Sequence, residues 1–140
     1  MHLDQSIRSF GLAATIALLC TAPAFASGPD WSAVADVETI TVLTTDADGG
    51  TRDTTIWLLV QEGIGYIRTS RRTTWGANVE RDPQIAIRID GTDYPVRATF
   101  VTADAERARI IAGFEEKYGG HPLLDWVRGD DPPIMRLEPR

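Results

Sequence analysis

Three turn clusters constrain this chain most: Asp46-Ala47-Asp48-Gly49-Gly50, Gln61-Glu62-Gly63 and Asp90-Gly91 cut it into short β-branched and apolar runs. Parallel neighbours need crossovers of roughly a dozen residues, whereas these connections are hairpin length, so antiparallel pairing dominates. The runs are Glu38–Thr45, Thr54–Val60, Ile64–Thr69, Gln84–Ile89, Thr92–Val101 and Ile134–Glu138. Gln84–Ile89 alternates, with Ile85, Ile87 and Ile89 on one face; Thr54–Val60 is nearly continuous in apolar residues, as a strand buried on both faces would be. Pro95 cannot donate to a ladder and belongs at an edge or a bulge.

Two helices interrupt the strands. Trp75 and Val79 lie four apart on one side of a helix over Thr74–Arg81, which Asp82-Pro83 ends because the residue before proline avoids helical geometry. A second helix runs over Ala103–Tyr118, with Thr102 as N-cap, Asp104 and Glu106 near its positive end, and Ile111, Phe114 and Tyr118 facing a core. The order β-β-β-α-β-β-α-β predicts a mainly β, α+β domain whose six antiparallel strands curl into a barrel.

The first 26 residues read as a secretory signal: a weakly positive start to Arg8, an apolar run over Gly11–Ala22, and Ala24-Phe25-Ala26 as a small-x-small cleavage site. Leu19 is too bulky for lipid attachment at Cys20, and Arg8 stands without the second arginine of a twin-arginine signal. The expectation is a periplasmic or secreted domain over 27–140 with no stable membrane anchor. Its 114 residues suffice for one core, and the only cysteine leaves with the signal.

The net charge of −6 argues against nucleic acid as a partner. Of 14 basic residues, 13 are arginine and only Lys117 is lysine, a bias that a GC-rich genome explains. Beyond the signal there is one histidine, His121, in a loop between Gly119-Gly120 and Pro122, and three serines, Ser27, Ser32 and Ser70. That inventory leaves no thiol nucleophile and almost no zinc ligands other than carboxylates. Asp46–Gly50 is not a calcium loop, because Trp57 stands where the bidentate glutamate would be; no metal is expected. Glu115-Glu116 reads as a solvated helix face.

One stretch departs from a plain barrel: Arg68-Thr69-Ser70-Arg71-Arg72-Thr73-Thr74-Trp75, where a strand meets a helix start. Free helical N–H groups, three arginines and four hydroxyls there suit a phosphate, with Trp57, Tyr66 and Trp75 as a flat wall for a ring. The other reading is that Arg71 and Arg72 are solvated, Thr73 or Thr74 only caps the helix, and the aromatics are core.

The stretch Tyr66-Ile67-Arg68-Thr69-Ser70, then Arg71-Arg72, a short helix, Asp82-Pro83-Gln84-Ile85 and a hairpin leading to Pro95-Val96-Arg97-Ala98 resembles the flavin-binding split-barrel superfamily, which includes pyridoxamine phosphate oxidases and deazaflavin-dependent nitroreductases. Thr55-Ile56-Trp57, Tyr66-Ile67-Arg68, Lys117-Tyr118-Gly119 and Arg136-Leu137-Glu138-Pro139 resemble the bacterial domain of unknown function 2255. The resemblance implies a split barrel that binds FMN or a deazaflavin coenzyme for hydride or electron transfer. It also implies a homodimer, a phosphate held by Arg68, Thr69, Ser70, Arg71 and Arg72, and a pocket lined by Thr54, Thr55 and Trp75. In such a protein the cofactor supplies the chemistry and no side-chain acid or base is obligatory. Two readings stand against it: a cofactor-free binding module using the same barrel mouth, and an interaction domain with no small-molecule site.

Overall fold

A computed structural model describes residues 28–69, 72–119 and 132–140. Its strands are β1 (Thr39–Thr45), β2 (Thr51–Trp57), β3 (Leu59–Gln61), β4 (Ile64–Arg68), β5 (Gln84–Ile89), β6 (Thr92–Phe100) and β7 (Ile134–Pro139). The helices are α1 (Thr74–Arg81) and α2 (Asp104–Tyr118). The strands form one sheet in the order β2-β1-β5-β6-β7-β4-β3, antiparallel throughout.

Among the described residues there are seven strands rather than six, because the run Thr54–Val60 is not one strand. It breaks at Leu58, and its halves are opposite edges of the sheet. β2 pairs only with β1, and its residues alternate between exposed and half-buried, so it is not buried on both faces. The apolar character of the run serves the crossing: Leu58 is fully buried and Leu59 nearly so. Because consecutive residues reach both edges, the sheet must curl, and β2 comes against β4.

The turn chemistry accounts for the register. Asp90 and Gly91, at φ 49° and 80°, form a two-residue connection with positive φ at both positions, as do Glu62 and Gly63 at 53° and 74°. That geometry matches the twist of the strands each joins. Pro95 lies opposite Ala86 of β5, while β7 ends at Pro139 opposite Val96, so Pro95 has no partner on its β7 side, as its missing N–H requires.

Two apolar clusters lie on either side of the sheet. Inside the curl, Val42, Ile67, Val79, Ile87, Val96 and Trp75 pack together. Under α2, Tyr66, Ile110, Phe114, Tyr118 and Ile134 form the second, with Ile111 at its margin. The N-cap of α2 is Ala103, one residue beyond the expected Thr102, and it makes no side-chain cap; Asp104 and Glu106 in the first turn meet the helix's positive end instead.

Helix α1 is tied to the β1–β2 hairpin by a polar knot. Asn78, 3% exposed, donates through Nδ2 to Thr44 Oγ1 at 3.0 Å and Asp46 Oδ1 at 2.7 Å. Arg52 clasps the same carboxylate with Nε and Nη2 at 2.8 and 2.9 Å. These donors, Arg52 first and then Asn78, hold the Asp46 carboxyl below its ordinary pKa. A group depressed in the folded state contributes stability that is complete above its unfolded pKa and is lost as pH falls through the folded one. We therefore expect the melting temperature to fall below about pH 4, with a shallower acid limb in Asp46→Asn. Superimposable acid limbs for the two proteins would remove Asp46 from the explanation.

Candidate functional site

The strand-to-helix corner is built by alternation along β4. Tyr66 and Arg68 point toward α2, where the Tyr66 hydroxyl donates to Glu106 Oε1 at 3.3 Å and the Arg68 guanidinium lies 5.3 Å from the centre of the Phe114 ring. Ile67 packs inside the barrel, and Thr69 is buried with its Oγ1 3.2 Å from Thr73 Oγ1. Thr73 caps α1 by accepting from the Gly76 N–H at 3.2 Å. The corner thus pairs two threonine hydroxyls at the helix start and sends Arg68 to the other side of the sheet.

Arg68 is electrostatically unusual. Burial pushes its pKa down; Glu115 pulls it back up and the like charge of Arg107 lowers it further. Its Nε is buried and makes no hydrogen bond among the described residues. The guanidinium carbon lies 5.3 Å from the centre of the Phe114 ring, within cation–π distance.

The remaining expected site residues are spread out. Arg72 and Thr74 are exposed beside the corner, and Ser70 and Arg71 lie outside the described residues, as does His121. Trp75 is 6% exposed within the barrel core, Tyr66 is fully buried under α2, and Trp57 stacks on Tyr118 with ring centres 4.7 Å apart and 9° between planes. On β2, Thr54 is half-buried opposite Val42 and Thr55 is exposed opposite Thr41.

A cleft of about 430 Å³ adjoins the corner, lined by Glu80, Phe100, Val101, Thr102, Asp104, Arg107 and Pro133. Corner and cleft share a wall, since the Thr69 N–H donates to the Pro133 carbonyl at 3.0 Å. Arg107 donates to the carbonyls of Val101 at 3.2 Å and Pro132 at 3.3 Å, so its charge braces the wall between β6 and β7. No spacing in the sequence announces this cleft, because its walls come from α1, the end of β6, the start of α2 and the approach to β7. Among the described residues no group of three or more histidine, cysteine, aspartate or glutamate side chains could hold a metal ion. Among the same residues, no helix is long and apolar enough to cross a membrane.

Solved structures of the same shape decide the architecture. HutZ, a heme storage protein of Vibrio cholerae, superposes with a TM-score of 0.60 at 20% identity, over 74% of this chain and 82% of that one. An F420-H2 dependent reductase, FDR-A, gives 0.60 at 19% identity over 73% of this chain and 95% of its own. The fold is the split barrel that these structures share. Campylobacter jejuni ChuZ matches this split barrel with a TM-score of 0.62 at 19% identity over 74% of the chain, which spans about half, 48%, of ChuZ. At these identities the likeness is one of fold. No family model and no curated protein sequence matches the chain, so the likeness to domain of unknown function 2255 stands on the residues quoted for it.

Proposed function

We propose that this is an exported split-barrel protein that binds FMN or a deazaflavin coenzyme and supports hydride or electron transfer. The observation that carries the reading is the shared wall of corner and cleft, the Thr69 N–H on the Pro133 carbonyl. Pro133 in turn lines a space of about 430 Å³, within the range of small-ligand sites, to which α1 contributes Glu80. In this reading Thr69, Ser70, Arg71 and Arg72 face the phosphate, whose charge the α1 N-terminus also favours. Thr54 and Thr55 have a role only where a second copy brings another β2 edge to the pocket, which is why a homodimer belongs to the proposal. A matching structure of the same fold is a domain-swapped dimer. The names of HutZ and FDR-A support a cofactor pocket and leave its occupant to experiment.

The test is titration of FMN, and separately of F420, into the purified mature protein, followed by quenching of the ligand's fluorescence. We expect saturable binding of one of them, weakened at least about tenfold in Arg71→Ala/Arg72→Ala, the worth of one or two charge-assisted hydrogen bonds. Absence of binding by both ligands sinks the cofactor reading. A second reading, a cofactor-free periplasmic binding module, is favoured by one observation: Tyr66 and Trp75 are spent on packing, so neither offers its face to a flavin ring. It predicts that both titrations fail.

A further inference from the structure

The single lysine of the chain, Lys117, occupies an unusual place. Its Nζ donates to three main-chain carbonyls: Val37 at 2.6 Å, Leu58 at 2.9 Å and Ala35 at 3.1 Å. An ammonium has three N–H donors, and each has an oxygen here. The oxygens come from two stretches far apart in sequence, the lead into β1 and the residue where the chain crosses between the sheet's edges. The Tyr118 hydroxyl reaches the same place, 2.5 Å from the Leu58 carbonyl and 2.6 Å from that of Glu38. The Leu58 N–H donates to the Glu38 carbonyl at 2.9 Å.

A guanidinium presents its donors in a plane, as a fork, whereas three oxygens converging on one atom suit a compact, rotatable ammonium. That accounts for a lysine at this one position in a chain whose other basic residues are all arginine. We propose that the carbonyls of Ala35, Val37 and Leu58 form a binding site for a small monovalent cation with N–H donors, and that the Lys117 ammonium is its tethered occupant. Lys117 is a positioning residue: it holds the lead against the crossing and so keeps the two sheet edges together. Burial lowers the Lys117 pKa, and the charges of Asp36 and Glu38 offset part of that cost.

Removing the tether should leave a vacant seat that a free cation refills. Lys117→Ala is expected to lower the unfolding midpoint and speed hydrogen exchange at the Leu58 amide, and methylammonium to reverse both. Tetramethylammonium, which has the charge but no N–H donor, should restore neither, and Lys117→Arg should behave like the alanine variant. A folded Lys117→Ala protein indifferent to methylammonium, or rescued equally by both cations, overturns the proposal. Should that variant not fold at any cation concentration, native protein decides the matter. Its one ε-amino group should react with an acylating reagent at least about tenfold more slowly than a free lysine side chain, as for a site that opens rarely. Reaction at the free rate overturns the proposal equally.

Discussion

Phe114→Ala is expected to lower the unfolding free energy by about 3–5 kcal/mol, the range for removing a fully buried phenylalanine and leaving a cavity. Phe114 has no exposed surface and touches groups on both sides: the Tyr118 ring, with centres 6.0 Å apart, and the Arg68 guanidinium at 5.3 Å. The variant therefore loses packing and also the aromatic face beneath a cation whose Nε has no hydrogen bond among the described residues. Phe114→Leu, which fills part of the volume but lacks the ring, should cost less than the alanine change while still leaving Arg68 without its aromatic contact. Urea denaturation of the three proteins checks this. A loss below about 1.5 kcal/mol for Phe114→Ala, the scale of a volume-conserving core swap, would mean that α2 is not seated on the sheet as described.

Gly65→Ala should be the second severe change, although it adds a single methyl. A Cβ at this position falls on the six-membered ring of Trp31, well inside van der Waals contact. β4 cannot withdraw, because Gly65 is held between Val60 of β3 and Leu137 of β7. Overpacking of this kind costs about 1–3 kcal/mol. The cause is one ring, so the penalty should largely vanish in a Trp31→Ala background, with a coupling of about 0.5–3 kcal/mol in the double-mutant cycle. Strict additivity would show that the strain arises elsewhere.

These two residues also show what the chain discloses in one dimension. Phe114 stands at helical spacing from Ile111 and Tyr118, so its burial was legible from periodicity alone. Gly65 carries no such mark, because the ring that requires it lies more than thirty residues away on the segment before β1. The corner divides in the same manner. Thr73 as a cap and the hydroxyl-rich run from Thr69 could be read from residue types. The opposite directions of Arg68 and Thr69 follow from the two-residue period of β4, once the strand is known to continue to Arg68. The cleft beside them left no trace in the sequence.

The break at Leu58 shows why. A run of apolar residues can be a strand buried on both faces or a passage between two edges, and composition is the same in either case. What distinguishes them is which partners meet the backbone at Leu58, and those are Glu38, Lys117 and Tyr118.

From local chemistry alone, the chain determined its turns, the antiparallel pairing within its hairpins, both helices and the alternation that points Ile85, Ile87 and Ile89 inward, because each depends on residues close together in sequence. Only the tertiary structure decided that the sheet has seven strands, that Trp75 and Tyr66 belong to packing, and that a lone lysine sits among three carbonyls. Those outcomes depend on backbone groups meeting across many tens of residues, and a main-chain carbonyl is the same in every amino acid.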